Sequence, residues 1–419
     1  MTITSIRTLI IVAIKEPYPP MGGGALRIWQ DINIMMKFGS VGVFYILTRK
    51  PNDQTIPGVD PQHHYNLVEP QLSFWEKLEL WFWWLHPRKF SRTIGRYTKA
   101  AAQELERVLA EFQPDLVLAD IRAYEYAPII KRYGCRFILE EQNVEVLVRE
   151  GHYSAYSALE NRKLTIKEKI ERSLDLSRTK LAERDLLDQA DQVWMCSDVD
   201  DKLLQDLYGQ VSHARVIPNG IDVTHYDTVR LGKCTLPEGL SKKQRNLLYC
   251  GQFTYPPNVQ AVEILIDQIY PRLRQVYPDC RLLVVGHSPT QRMLEAAKRD
   301  SGIIVTGEVP DVQPYLAAAN VMVVPLRHGS GTRLKILEAF AAGCLVVSTA
   351  KGSEGLNVKD GEHLLIRDEI ETMIEGVCQL WSDPSLGQKL ANSAYELVKS
   401  EYSWSAIGQK VESAIQELF

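Results

Sequence analysis

The segment His328-Gly-Ser-Gly-Thr-Arg-Leu-Lys-Ile-Leu-Glu-Ala339 places glycines, hydroxyls, cations and a carboxylate side by side. Gly329 and Gly331 let backbone amides approach a ligand with no Cβ in the way. The segment follows an apolar stretch, Val321–Val324, and opens a helical pattern over Arg333–Ala342. A helix start carries unpaired N–H groups and a partial positive charge, which suits an anion. Ser330 or Thr332 is placed to cap it. Arg333 and Lys335 fall in the first turn, where a cation opposes the helix dipole by roughly 0.3–1 kcal/mol each. A bound diphosphate would turn that cost into charge-assisted hydrogen bonds. Thr332, Lys335 and Glu338 share one flank by their spacing, with Ile336, Leu337 and Phe340 on the core side. Glu338 therefore sits a turn deeper than the cations, where a carboxylate accepts hydrogen bonds from hydroxyls such as those of a ribose. The same spacing also fits a surface helix with a Lys–Glu pair and an ordinary cap. His328, just before the loop, is a further ligand candidate.

Elements of alternating type must position these residues. An apolar strand, Thr8–Ile14, leads through Gly22-Gly-Gly24 to a helical stretch and a second strand, Val41–Leu47. Strands are expected at Leu116–Ala119, Phe137–Glu140 and Gln192–Cys196, with a long polar helical region over Leu159–Ala190. Residues 223–244 read as a linker with few signals. The pattern restarts at Asn246–Tyr249, followed by a helix near Val259–Val276 and strands at Arg281–Val285, Ile303–Val305, Val321–Val324 and Leu345–Ser348. Repeated strand, glycine turn and helix predict parallel sheets covered on both faces. The fold class is thus α/β with two Rossmann-like domains, and ligands are expected at the carboxyl ends of the strands, in a cleft between the domains. The boundaries are 1–228 for an amino-terminal domain and 240–399 for a carboxyl-terminal domain. A terminal helix, 400–419, is expected to pack back on the first.

The 419 residues suit two such domains, and 45% hydrophobic residues supply two cores. A net charge of −4 gives no basic field for nucleic acid. Seven scattered cysteines form no C-x-x-C pair, which argues for a reducing compartment and against a zinc site. The run Leu9–Ile14 is too short for a signal peptide or a membrane span. Asp198-Val-Asp200 reads as a helix cap, so no metal ligands are assigned. Phe74-Trp-Glu-Lys-Leu-Glu-Leu-Trp-Phe-Trp-Trp-Leu85, with basic residues up to Lys99, fits either a helical excursion on the first domain or a membrane interface.

The ordered set Tyr249-Cys-Gly-Gln252, Pro257-Asn258, Val285-Gly286, Val305-Thr-Gly307 and Gly329–Ala341, completed by Gly343 and Gly352-Ser-Glu-Gly355, resembles the carboxyl domain of family 4 retaining glycosyltransferases of the GT-B fold. The amino half resembles the family more weakly, through Gly22–Gly24, Glu140-Glu-Gln-Asn-Val-Glu145, Glu183, Ala190-Asp191, Ser197 and Pro218–Asp222. The resemblance implies a nucleotide-diphosphate sugar as donor, a hydroxyl acceptor on a glycan or lipid-linked glycan, retention of configuration and no metal or other cofactor. It places the donor on Gly251, Gln252, Asn258, Gly286, Gly307, Glu308, His328, Gly329, Ser330, Gly331 and Thr332, with Gly23 and Gly24 approaching the diphosphate. Glu338 matches the family's ribose-binding glutamate.

Two departures matter. Ser330 stands where the family has its first paired glutamate. Gln252 and Pro257 fall where it has a loop Arg and Lys, so Arg333 and Lys335 are expected to supply those charges from another side. Gln142, Asn143 and Glu145 follow a strand end and are expected to position donor sugar and acceptor, with His152 a further candidate; a polar loop and helix cap is the plainer alternative. The family implies a cytoplasmic enzyme, with possible contact of residues 74–99 with the inner membrane face. A catalytically silent binding scaffold and a sugar-nucleotide epimerase share the fold and stay open.

Overall fold

The computed structural model describes residues 5–14, 18, 23–47, 55–68, 74–82, 98–160, 164–329, 331 and 333–419. The chain divides into two compact units, 1–218 with 408–419, and 219–407.

The first unit is built on seven strands: β1 (Thr8–Ile14), β2 (Val41–Leu47), β3 (His64–Val68), β4 (Leu116–Asp120), β5 (Arg136–Glu141), β6 (Gln192–Met195) and β7 (Ala214–Val216). They lie in the order β3-β2-β1-β4-β5-β6-β7, and every pairing is parallel. β4 is buried along its whole length, as a strand covered on both faces must be. One face carries a core of Leu9, Phe44, Leu105, Leu109, Phe137 and Leu186. The strand order reverses between β1 and β4, the place where an open α/β sheet leaves room for a ligand.

The second unit repeats the plan with six parallel strands: β8 (Asn246–Cys250), β9 (Arg281–Val285), β10 (Ile303–Gly307), β11 (Val321–Val324), β12 (Leu345–Ser348) and β13 (Leu365–Ile366). Their order is β10-β9-β8-β11-β12-β13, so the reversal falls between β8 and β11. The glycine segment after β11 and the helix Leu334–Ala342 stand at that point. Ile336, Leu337 and Phe340 are buried and anchor the helix in the core.

Three local expectations are corrected. The helix expected over Val259–Val276 is Pro256–Ile264 and Tyr270–Val276, joined through a wide turn at Leu265–Ile269. The long polar helix expected over Leu159–Ala190 is Ile166–Gln189, starting later than expected, and a separate helix, Glu145–Glu160, precedes it. The start of the linker expected over 223–244 packs Val223, Tyr226 and Val229 into the second core.

Candidate functional site

At the reversal in the second sheet, two strand ends close on each other through glycines. Gly251 N donates to Val285 O (3.0 Å) and Gly286 N to Gly307 O (3.1 Å), extending the ladder past β8 and β9. Gly286 has φ 145°, and a Cβ there would lie 1.8 Å from Gly251 O. Only glycine permits that approach. A Cβ on Gly251 would lie 3.0 Å from the Asn258 side chain and 3.3 Å from Lys335 Nζ, so its bare backbone forms the floor under the lysine.

Lys335 reaches this floor from the first turn of Leu334–Ala342. Its Nζ donates to Tyr249 OH and Asn258 Oδ1, each at 3.0 Å, and lies 4.1 Å from the centre of the Tyr249 ring. Tyr249 OH donates to Asn258 Oδ1 (2.7 Å), and Asn258 Nδ2 to Gln252 O (2.9 Å), which fixes the cradle. Burial pushes the ammonium down to about 7; Cys250 and Glu338 oppose the change and Arg333 adds to it. No carboxylate lies in ion-pair distance of Lys335 among the described residues. A half-buried amine with no carboxylate beside it is a ready acceptor of an anion's charge.

Glu338 Oε1, one turn further, accepts a hydrogen bond from Tyr226 OH at 3.0 Å. Burial raises its carboxyl, while the Tyr226 hydrogen bond and Lys335 hold it down. Tyr226 lies in the stretch read as a linker, four residues past Pro218–Asp222, and nearness to that motif is the signal the sequence offers for it. Its neighbours Thr228 and His225 both bond Gln313, at 2.9 Å each, tying that stretch to the start of the helix Gln313–Ala318.

Arg333 corrects the capping expectation: it occupies the N-cap position itself and makes no side-chain cap bond. It is buried, and its Nη2 donates to Gly329 O (2.9 Å) and Lys351 O (3.2 Å), so the guanidinium braces the glycine loop against the turn after β12. Gly329 has φ 109°, and a Cβ there would meet Tyr255 OH at 2.8 Å. Ser330 and Thr332 lie outside the described residues. His328 and Glu308 are exposed, and Glu308 Oε2 stands 3.8 Å from His287 Nε2. Gly307 ends β10. Lys335, Asn258, Gly251 and the main chain of Gln252 are thus brought together; among the described residues, His328 and Glu308 make no hydrogen bond or ion pair with them.

In the first unit, the helix Gly23–Met35 begins at Gly23, and a Cβ on Gly24 would lie 3.4 Å from Gln142 Oε1. Gln142 Nε2 approaches Glu140 Oε2 at 3.4 Å. Glu140 pairs with Arg27, which also bonds Asp31 (3.1 Å), Ile217 O (2.6 Å) and Pro218 O (3.0 Å). Asn143 is half-buried. Glu145 starts the helix Glu145–Glu160, accepts from Arg149 Nε (3.2 Å), and is pushed up to about 7 by burial against the pull of Arg149. His152 lies on that helix, and its side chain is outside the described set. Asp198 and Asp200 lie in the first turn of Asp198–Tyr208, whose cap is Ser197. Among the described residues no three or more His, Cys, Asp or Glu stand together as a metal cage, and no helix is long and apolar enough to cross a membrane.

The family model described as glycosyl transferases group 1 matches residues 244–383, which hold Lys335, Glu338 and the glycine turns. An uncharacterised 44.6 kDa protein of the cps region of Klebsiella pneumoniae is 24% identical over 97% of this chain and 98% of its own. A phosphatidyl-myo-inositol mannosyltransferase of Mycobacterium tuberculosis is 26% identical over 48% of this chain and 53% of its own, so the match spans about half of that relative. Among solved structures, sucrose-phosphate synthase from Thermosynechococcus elongatus superposes with a TM-score of 0.71 over 99% of both chains at 16% identity. The fold is GT-B, and residues 244–383 are similar to the glycosyl transferases of group 1.

Proposed function

We propose that the protein transfers a sugar from a nucleotide-diphosphate donor to a hydroxyl of a glycan or lipid-linked glycan, with retention and without a metal. The observation that carries this is Lys335, a cation with no counter-ion among the described residues, on a glycine floor one helical turn from a carboxylate, inside the segment similar to group 1 glycosyl transferases. The bond from anomeric carbon to phosphate oxygen breaks, a bond to the acceptor oxygen forms, and the acceptor's proton leaves with the diphosphate or to water. Lys335 and the first amides of its helix stabilise the leaving charge, Arg333 keeps the loop in shape, and Glu338 accepts from the ribose. Gln142, Asn143 and Glu145 of the first unit hold donor sugar and acceptor.

A thermal-shift panel of UDP, GDP, ADP and dTDP, with and without EDTA, tests the reading. One nucleotide is expected to raise the melting temperature by mass action, unaffected by EDTA and lost in Glu338→Ala. No shift with any of them would favour a silent scaffold.

The acceptor side of the proposal includes contact with the cytoplasmic face of a membrane. The helix Phe74–Trp81 and its end expose Phe74 (70%), Trp75 (70%), Trp81 (63%) and Phe82 (40%). Large aromatics turned to water suit the interface of a bilayer. Residues 83–97, with Arg88, Lys89, Arg92 and Arg96, lie outside the described set. Co-sedimentation with anionic vesicles is expected, weakened at least several-fold by Trp75→Ala with Trp81→Ala; pelleting equal to that of the double variant would sink the idea.

A further inference from the structure

β5 ends in two consecutive carboxylates that alternation sends to opposite faces of the sheet. Glu140 meets Arg27 on one face. Among the described residues Glu141, 1% exposed, meets no cation on the other, and neither of its oxygens receives an N–H or hydroxyl; the group it faces is the carboxylate of Glu183. Two ionised carboxylates buried in contact would repel strongly, and an ionised one with no donor is costly in itself. Glu183, fully buried on the helix Ile166–Gln189, is by contrast surrounded by donors. Its Oε1 accepts from Glu145 N (2.5 Å), its Oε2 from Tyr208 OH, and Val146 N also reaches it. With a proton from Glu141, all four acceptor positions of that carboxylate are used. Its charge also sits at the start of the helix Glu145–Glu160, where the helix dipole favours it.

We propose that Glu141 and Glu183 share a proton, Glu141 as neutral donor and Glu183 as charged acceptor, and that this pair positions the Gln142–Asn143–Glu145 segment. The segment is held at both ends. Glu141 fixes its entry from β5, and Glu183 fixes its exit by capping the helix that begins at Glu145. The other charges nearby are already engaged. Arg122 bonds Asp120 (2.7 Å), Arg149 bonds Glu145 and Asp175 (2.7 Å), and Arg184 bonds Tyr208 O. Glu145 and Asp120 add negative charge on the near side, and burial with these neighbours raises the Glu141 carboxyl well above the usual range. Glu141 and Glu183 act through the segment and touch no substrate.

The test has one arm independent of activity. A carboxyl raised in the fold contributes stability that is whole below its unfolded value and lost as pH rises through the folded one. Glutamine at 141 keeps a donor at every pH. The melting temperature of Glu141→Gln minus that of the wild type is therefore expected to widen as pH rises from 5 to 9. A constant difference overturns the shared proton. The functional arm rests on the transferase reading above. Glu183→Gln, which puts an amide where donors converge, is expected to lower kcat ~100-fold, the order expected of a misplaced site, and to leave nucleotide-diphosphate affinity within about 2-fold. Glu141→Gln is expected to keep transfer at alkaline pH, where the wild type loses it. If Glu183→Gln does not fold, Tyr208→Phe removes one donor from Glu183 and carries the same arm with a loss of about 10-fold. Wild-type kcat in these variants overturns the positioning role. Absence of transfer in the wild type would defeat the transferase reading alone, and the melting series would still decide the pair.

Discussion

Lys335→Met is expected to raise the melting temperature and to remove nucleotide-diphosphate binding in the same variant. The lysine is held where its charge is disfavoured, on a floor of Gly251 backbone under the Tyr249 ring. Methionine fills a similar volume and removes the charge. Tyr249 and Asn258 keep their own hydrogen bond at 2.7 Å, so no polar group is orphaned. The gain is on the order of 2–3 kcal/mol once solvent screening of the partly exposed head is allowed for, or roughly 5–10 °C. The folded value of about 7 lies below the ordinary 10.5. Between those pH values the unfolded chain keeps a proton that the fold has released, so wild-type stability rises with pH there. The advantage of the variant is therefore largest below pH 7 and vanishes above about 10.5. Differential scanning calorimetry from pH 6 to 10 checks the slope, and a variant less stable than wild type at pH 6 would contradict it. Binding moves the other way. A bound diphosphate favours the ammonium, so wild-type affinity is expected to fall about tenfold for each pH unit above about 7 as protein must take up a proton. Calorimetric titration in buffers of different ionisation enthalpy would show that uptake.

Gly286→Ala is expected to damage fold and site together. A Cβ 1.8 Å from Gly251 O cannot be relieved by a side-chain rotation, because its neighbour is backbone. A backbone held at φ 145° costs a non-glycine residue about 1–3 kcal/mol by itself. Relief must come from parting β8 and β9 at their ends, which breaks the hydrogen bond from Gly251 N to Val285 O and shifts the floor under Lys335. A melting temperature lowered by at least ~5 °C, with nucleotide response lost, is the expected outcome. Native melting with intact binding would show that the strand ends yield more readily than this geometry allows.

Most of the second unit was legible because its strands are apolar runs closed by glycine or proline, and a buried parallel strand has little freedom to read otherwise. The pairing of Lys335 with Glu338 on one flank of a helix follows from periodicity alone, and both lie on the same side of Leu334–Ala342 as their spacing requires. The partners they found were not legible. Tyr226 is brought to Glu338 by a turn whose residues carry no periodic signal, and Tyr249 reads from sequence as one more strand residue. Arg333 reads as a ligand cation because type and spacing do not say which carbonyls a guanidinium will meet; its contacts with Gly329 and Lys351 depend on how two loops close. Glu141 and Glu183 stand far apart in the chain, so their meeting is a property of sheet and helix packing.

The first unit is made of two pieces of chain, with the whole second unit strung between them. Gln192 Nε2 donates to Ala414 O (3.0 Å), and Gln192 Oε1 accepts from the buried indole of Trp194 at 2.6 Å. Arg215 pairs with Glu417. On the ribosome, the sheet that emerges first must therefore wait, with part of its surface uncovered, until some two hundred further residues have been made. The later-synthesised unit has all its strands in hand before the earlier one is sealed. A nascent chain stalled before residue 408 would present an incomplete first unit and a complete second one, a difference that chaperones and proteases are equipped to detect.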